Sequence, residues 1–276
     1  MIAYLLTLLV LWMPSDHATA QHRVLNSKEL HLTMPVAFDF GERMVYRVHY
    51  GIINAGEAEM RVGDQVEYVN GHPCYDVQVT GRTTGFWRKV VRIQDNWSSK
   101  IDTAKLQPVQ FRMDIQEAGY RHKELLDFKS EMDTVVLSKL DRKTGELQGK
   151  EGFSIPDHVQ DIVSGFYFLR NIDFSKIEKG TLMEFTGFFD KKVHHMKIRF
   201  DGRTTIKTDM GKRKALILVP VMPDNETFEK DSPITAYLSD DEHKIPLKVK
   251  AELLVGSAEV TIKKYYPGHK KAFKNP

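Results

Sequence analysis

The chain has 276 residues, 41% hydrophobic and 28% charged, with 40 Lys and Arg against 37 Asp and Glu for a net charge of +3. That length suits one large β domain or two small ones, and the composition is that of a soluble globular protein. Charges of both signs are interspersed, which argues against a dedicated nucleic-acid binder with its concentrated basic face.

Residues 1–20 read as a signal peptide. The apolar run from Ile2 to Met13 is shorter than the roughly 20 residues that cross a bilayer, and Ala18-Thr19-Ala20 has the small-x-small form of a cleavage site. Cleavage after Ala20 would leave a periplasmic or secreted chain, with no later segment long enough to span a membrane. The single cysteine, Cys74, allows no internal disulfide, so the core alone must hold the fold. No cysteine near the cleavage site offers a lipid anchor.

Residues 21–37 form a lead-in without clear period. From Met44 the chain alternates: Met44, Tyr46, Val48 and Tyr50 against Arg43, Val45, Arg47 and His49, the period of a half-buried strand. Ala58, Met60 and Val62 continue the pattern, and Asn70-Gly71 marks a hairpin turn. In Gly85 to Trp97, the β-branched Val90-Val91 with Ile93 favours a strand over a helix. Strands are expected at Val109–Ile115, Tyr120–Phe128 and Thr134–Leu140. One helix is expected over about 157–170. Pro156 and Asp157 suit its start, and Val159, Ile162, Val163, Phe166 and Leu169 share one face. Strands resume at Leu182–Phe188 and Val193–Phe200, with a turn at Asp201-Gly202, then at Thr204–Thr208 and Ala215–Val219. The end is a meander of Ile234–Leu238, Ile245–Leu253 and Ala258–Tyr265, followed by a fraying basic tail over 267–276. Closely spaced strands with turns between them predict a mainly β fold: a curved antiparallel sheet, or a partly open barrel or sandwich, with one packed helix.

Several residues invite a chemical reading. Asp240-Asp241-Glu242 offers oxygen ligands for Ca²⁺, but acids at a turn more often accept backbone N–H bonds. Asp95, Asp102 and the late acids raise the idea of a glycosidase pair, which needs carboxyls roughly 5–9.5 Å apart. His194-His195 in a strand point to opposite faces, and His158 has no histidine at helical spacing, so no metal site is expected. No Gly-x-Ser-x-Gly elbow or phosphate-binding loop is present. Phe86, Trp87 and Arg88, with Phe166 and Tyr167, combine aromatics and a cation as at the mouth of an apolar ligand site or on a membrane surface. The competing account is a packed core edge with solvated neighbours.

The segments FDFGERMVYRVHYGIINAGEAEM, DNWSSKIDTAKLQPVQF, DIVSGFYFLRNIDFS and AYLSDDEHKIPLKVKAELLVGSAEVTI resemble the bacterial envelope proteins of domain-of-unknown-function family 3108. The matching positions are Gly41, Glu42 and Tyr46; Asp95, Trp97, Ser99, Leu106 and Pro108; and Ser239, Asp240, Asp241, Ile245, Pro246, Gly256 and Ser257, with Tyr237 where the family usually has tryptophan. The resemblance implies a single β-rich domain over 38–266 in an exported protein, and no activity. The function expected is that of a non-enzymatic envelope protein, without cofactor or metal, that binds or carries a lipid or other hydrophobic ligand. A structural envelope component without a ligand, partnered by other envelope proteins, is the alternative, and a glycan-acting hydrolase the third reading.

Overall fold

A computed structural model describes residues 23–221, 234–253 and 256–269. In chain order the strands are β1 (Val24–Asn26), β2 (Arg43–Tyr50), β3 (Ile53–Val62), β4 (Glu67–Val69), β5 (His72–Thr83), β6 (Gln94–Asp102), β7 (Pro108–Glu117), β8 (Tyr120–Lys129), β9 (Thr134–Leu140) and β10 (Leu147–Ser154). They continue as β11 (Val159–Gln160), β12 (Leu182–Phe189), β13 (Lys192–Thr208), β14 (Gly211–Val221), β15 (Ile234–Ser239), β16 (Pro246–Glu252) and β17 (Ser257–Tyr266). The helices are α1 (Trp87–Val90) and α2 (Ile162–Arg170).

The antiparallel pairing runs without interruption from β10 through β9, β8, β7, β6, β5, β3, β2, β17, β16, β15, β14 and β13 to β12. β4 extends the β3 side of β5, and β1 and β11 lie parallel on β12. The sheet curls but does not close. Across the seam, side chains stand in for a ladder: the Phe153 and Phe188 rings are 5.4 Å apart, and Lys191 reaches Glu151 at 3.5 Å.

The alternation that predicts the strands places the core. On β2, Met44, Tyr46 and Val48 point inward; on β6, so do Asp95, Trp97, Ser99 and Ile101. The aromatic interior is filled by α2, which touches β5 and β6 on one side and β11 and β12 on the other. The lead-in is part of this core, with Leu30 and Ala37 buried in it, and the adjoining Phe38 makes edge contacts with Tyr75 and Tyr167. Near the C-terminus, His269 N–H bonds the Phe40 carbonyl at 2.8 Å, and a side chain at Gly268 would collide with that backbone, so only glycine fits.

The curved, mainly antiparallel sheet with a packed helix agrees with the sequence reading, but three local expectations do not hold. The helix begins at Ile162 rather than near Asp157. His158 sits at φ +60° and Val159-Gln160 pair with β12, while Asp161 caps the helix from outside. The strand expected across Val90–Ile93 is the single-turn helix α1 followed by β6. Asp201-Gly202 is a bulge inside the 17-residue β13, where the register against β14 shifts between Phe200 and Gly202, with Gly202 at φ +97°.

Candidate functional site

The two sides of α2 do different things. Its cap is polar and fully bonded. Asp161 Oδ1 accepts the Val163 and Ser164 N–H groups at 2.7 and 2.8 Å, and Ser164 Oγ accepts the Asp161 N–H at 2.9 Å, a capping box. Ser99 Oγ donates to Asp161 Oδ2 at 2.6 Å, tying the cap to β6. Burial pushes the Asp161 carboxyl up to about 6, against the opposing pull of these bonds.

At the other end of α2, Arg170 is wholly buried and forks onto Glu42, itself 1% exposed, through two bonds of 2.7 Å. Its remaining N–H groups donate to the His243 and Ala37 carbonyls at 3.0 and 3.4 Å. Its guanidinium stacks over Tyr167 and Phe38, with centroid distances of 5.0 and 5.6 Å. Burial alone would lower the arginine's pKa; the Glu42 carboxylate overrides this and raises it. One side chain thus joins the lead-in, the helix and the β15–β16 loop. In that loop Asp241 Oδ1 accepts N–H bonds from His243 and Lys244 at 3.0 and 3.1 Å and the Ser239 hydroxyl at 2.7 Å, while Ser239 Oγ accepts the Ile245 N–H at 2.7 Å. Asp240 pairs with Arg203 at 3.2 Å, and Pro246 opens β16 at a bulge opposite Leu238. Gly256, at φ +77°, makes the β16–β17 turn possible, its carbonyl accepting the Leu253 N–H at 3.0 Å, and the Ser257 carbonyl ties the start of β17 to the β2–β3 turn by accepting the Gly51 N–H at 2.8 Å.

The opposite side of α2 is apolar and incompletely packed. Ile162, Gly165, Phe166 and Leu169 face the concave side of β12–β16 across a pocket of about 110 Å³. Phe185 and Phe189 of β12, Met196 and Ile198 of β13, Leu218 and Pro220 of β14, Ile234, Ala236 and Leu238 of β15 and Val249 of β16 form its other wall. The register explains why these side chains share a face: Phe185 lies opposite Met196, Ile198 opposite Pro220, and Ala236 opposite both Leu218 and Val249. Gly187 lies on the same face. A Cβ there would stand 2.9 Å from Met196 Cε and 3.0 Å from the Phe189 ring, so its absence leaves room for both. Engineered apolar cavities of about 150 Å³ stay dry and take up benzene, and this pocket approaches that scale.

The aromatic group singled out in the sequence is divided. Phe166 lines the apolar pocket, whereas Tyr167, the next residue, points into the core beneath Arg170. Phe86, 71% exposed, precedes α1 as its cap residue, and Trp87 and Arg88 belong to α1, away from this pocket. Arg88 lines a separate polar groove of about 600 Å³ with Arg82, Arg92 and Glu57. Asp95 and Asp102 stand at opposite ends of β6, seven residues or about 23 Å apart along an extended strand, too far for a glycosidase pair. Asp95 is fully buried, with one oxygen bonded by the Gln116 N–H at 3.0 Å and the other without a partner. Burial, reinforced by the nearby Glu117 carboxylate, pushes it up to about 7. Trp97 packs in the core. Burial raises the Cys74 thiol to about 11, which keeps it inert as a nucleophile. Among the described residues, no group of three or more His, Cys, Asp and Glu is placed to hold a metal ion. The expected signal peptide lies outside the described residues.

A strongly curved, unclosed sheet wrapped around one helix defines a barrel-like β protein, and one known structure shares this form. The chain is similar to the β-barrel-like DUF1849 protein of Brucella abortus at 8% identity and a TM-score of 0.52, over 84% of this chain and 99% of that one. Weaker likenesses are to a provisionally named lipoprotein of Parabacteroides distasonis (10% identity, TM-score 0.34, 84% and 98% covered) and a provisionally named exported protein with a YmcC-like fold from Bacteroides fragilis (9% identity, TM-score 0.31, 84% and 98% covered). No curated protein matches. The family model for proteins of unknown function DUF3108 matches residues 45–263, and the chain belongs to that family.

Proposed function

We propose that this is an exported, non-enzymatic protein that binds a hydrophobic ligand, such as the end of a lipid chain, between α2 and the concave face of β12–β16. The observation that carries the reading is the nearly unbroken apolar lining of that pocket, drawn from one helix and five adjacent strands. Burying hydrocarbon there yields roughly 25 cal/mol per Å² without any polar partner. Export is supported by the leader-like first 20 residues. The small free volume, about 110 Å³, favours the second reading, an envelope component with no ligand.

The test is titration with the neutral apolar dye N-phenylnaphthylamine. Wild type should bind it, and Ala236→Phe, which fills the pocket, should weaken binding about tenfold, the loss expected when a ring-sized volume is denied. Trp87→Ala and Arg88→Glu, outside the pocket, should bind as wild type does. No binding by folded wild type, or equal binding by Ala236→Phe, would give the ligand-free reading the advantage.

A further inference from the structure

In an antiparallel meander alternate connections lie at the same end of the sheet. The β2–β3, β5–β6 and β7–β8 connections are therefore neighbours. Backbone bonds tie them together: Thr84 N–H to the Ala55 carbonyl at 3.2 Å, and Ala118 N–H to the Arg92 carbonyl at 3.0 Å. Each connection projects a large apolar side chain into water: Ile52 is 100% exposed, Phe86 71% and Tyr120 54%. Among the described residues, Arg88, Lys89 and Arg92 of the middle connection have no carboxylate within ion-pairing distance. Arg121 follows Tyr120, and Arg142 stacks over the Tyr120 ring at 5.7 Å. At the opposite end Tyr68 and Met132 are each 72% exposed, but the turns there carry Asp64, Glu131 and Asp133.

We propose that the β2–β3, β5–β6 and β7–β8 tips dock the protein on an anionic phospholipid surface. Ile52, Phe86 and Tyr120 enter the boundary between headgroups and acyl chains, and Arg88, Lys89 and Arg92 meet the phosphates. Apolar side chains on projecting turns, ringed by unpaired cations, are what such a surface binds. A protein partner would more usually bury a flat apolar patch, whereas here the apolar groups stand singly among charges. The apolar pocket extends toward the same end, since Phe189, Val221 and Ile234 of its lining are the terminal residues of β12, β14 and β15 there. Docking itself does not depend on what the pocket holds.

Flotation of the mature protein with vesicles of phosphatidylcholine alone, and with vesicles that also contain phosphatidylglycerol, tests this. Wild type should float with the anionic vesicles, less so at high salt, and remain behind with the neutral ones. Phe86→Ser should weaken partitioning about tenfold, the loss of one buried aromatic, and Arg88→Glu and Lys89→Glu about fivefold each. Tyr68→Ser and Met132→Ser, at the opposite end, should float as wild type does. All of these side chains are on the surface, so the variants keep their fold, checked by circular dichroism. Ala236→Phe should still float, which separates failure of the pocket reading from failure of docking. No flotation of wild type with anionic vesicles overturns the proposal and leaves the tips as a protein contact, and equal loss in the opposite-end variants overturns it as well.

Discussion

The two sides of α2 use opposite chemistry. Toward β2, β6 and the β15–β16 loop the helix is held by a buried charge pair and a capping box, each with strict geometry and several partners. Toward β12–β16 it presents only hydrocarbon and leaves space. Directional bonds on one side fix the helix, so the other side need not close around it, and the pocket persists because the lock does the positioning. The family-matching residues Glu42, Ser99, Ser239 and Asp241 all lie in or beside the lock, and none lines the pocket.

Breaking the lock should have the largest effect. Glu42→Gln leaves the Arg170 guanidinium buried without a counter-charge and should cost about 3–5 kcal/mol in urea unfolding. Replacing both partners, as Glu42→Leu with Arg170→Met, should recover most of that loss, because the desolvation of both charges is relieved together. Equal losses in the single and double variants would mean that the lock acts through shape, not charge.

On the pocket side the same measurement should give less. Phe166 is half-buried beside free space, so Phe166→Ala should cost only about 1–2 kcal/mol. A cost as large as that of Glu42→Gln would erase the contrast between the two sides.

The smallest effect concerns pH. The folded-state pKa of Asp95 is raised from an ordinary 3.8 to about 7, chiefly by burial. Its contribution to stability is therefore fully present below the unfolded value and is lost as pH rises through about 7. Asp161, raised to about 6, acts in the same direction over a narrower window. Asp95→Asn should flatten the decline in melting temperature between about pH 4 and pH 7 relative to wild type. An unchanged slope would place the titrating group elsewhere.

The strands were legible where one face is dry and the other wet, as in β2, β8, β9 and β17, because a period of two needs no tertiary information. The start of α2 was not. Apolar periodicity runs on through Val159, and only the left-handed backbone at His158 and the pairing with Gly187 tell the chain to wait for Asp161. The sequence Leu147–Ser154, polar with two glycines, gave no strand signal; its pairing to β9 makes it β10. The pocket was less legible still. Phe166 stands out in the sequence, but its strand partners are spread from Phe185 to Val249, and which apolar side chains border free space depends on register and curvature. The phenylalanine and tyrosine at 166 and 167 look alike in sequence yet fall on opposite sides of the helix, because each residue advances about 100° around the axis.

The Arg170 knot also bears on when the protein can fold. Its ligands come from residues 37, 42 and 243, and β2, paired early with β3, gains its second neighbour only from β17, the last strand. A growing chain therefore has neither its central anchor nor its first sheet complete until almost every residue has been made. Such non-local closure is slow. For a chain exported as proposed above, this delay leaves the Arg170 anchor unformed until the C-terminal strands have arrived.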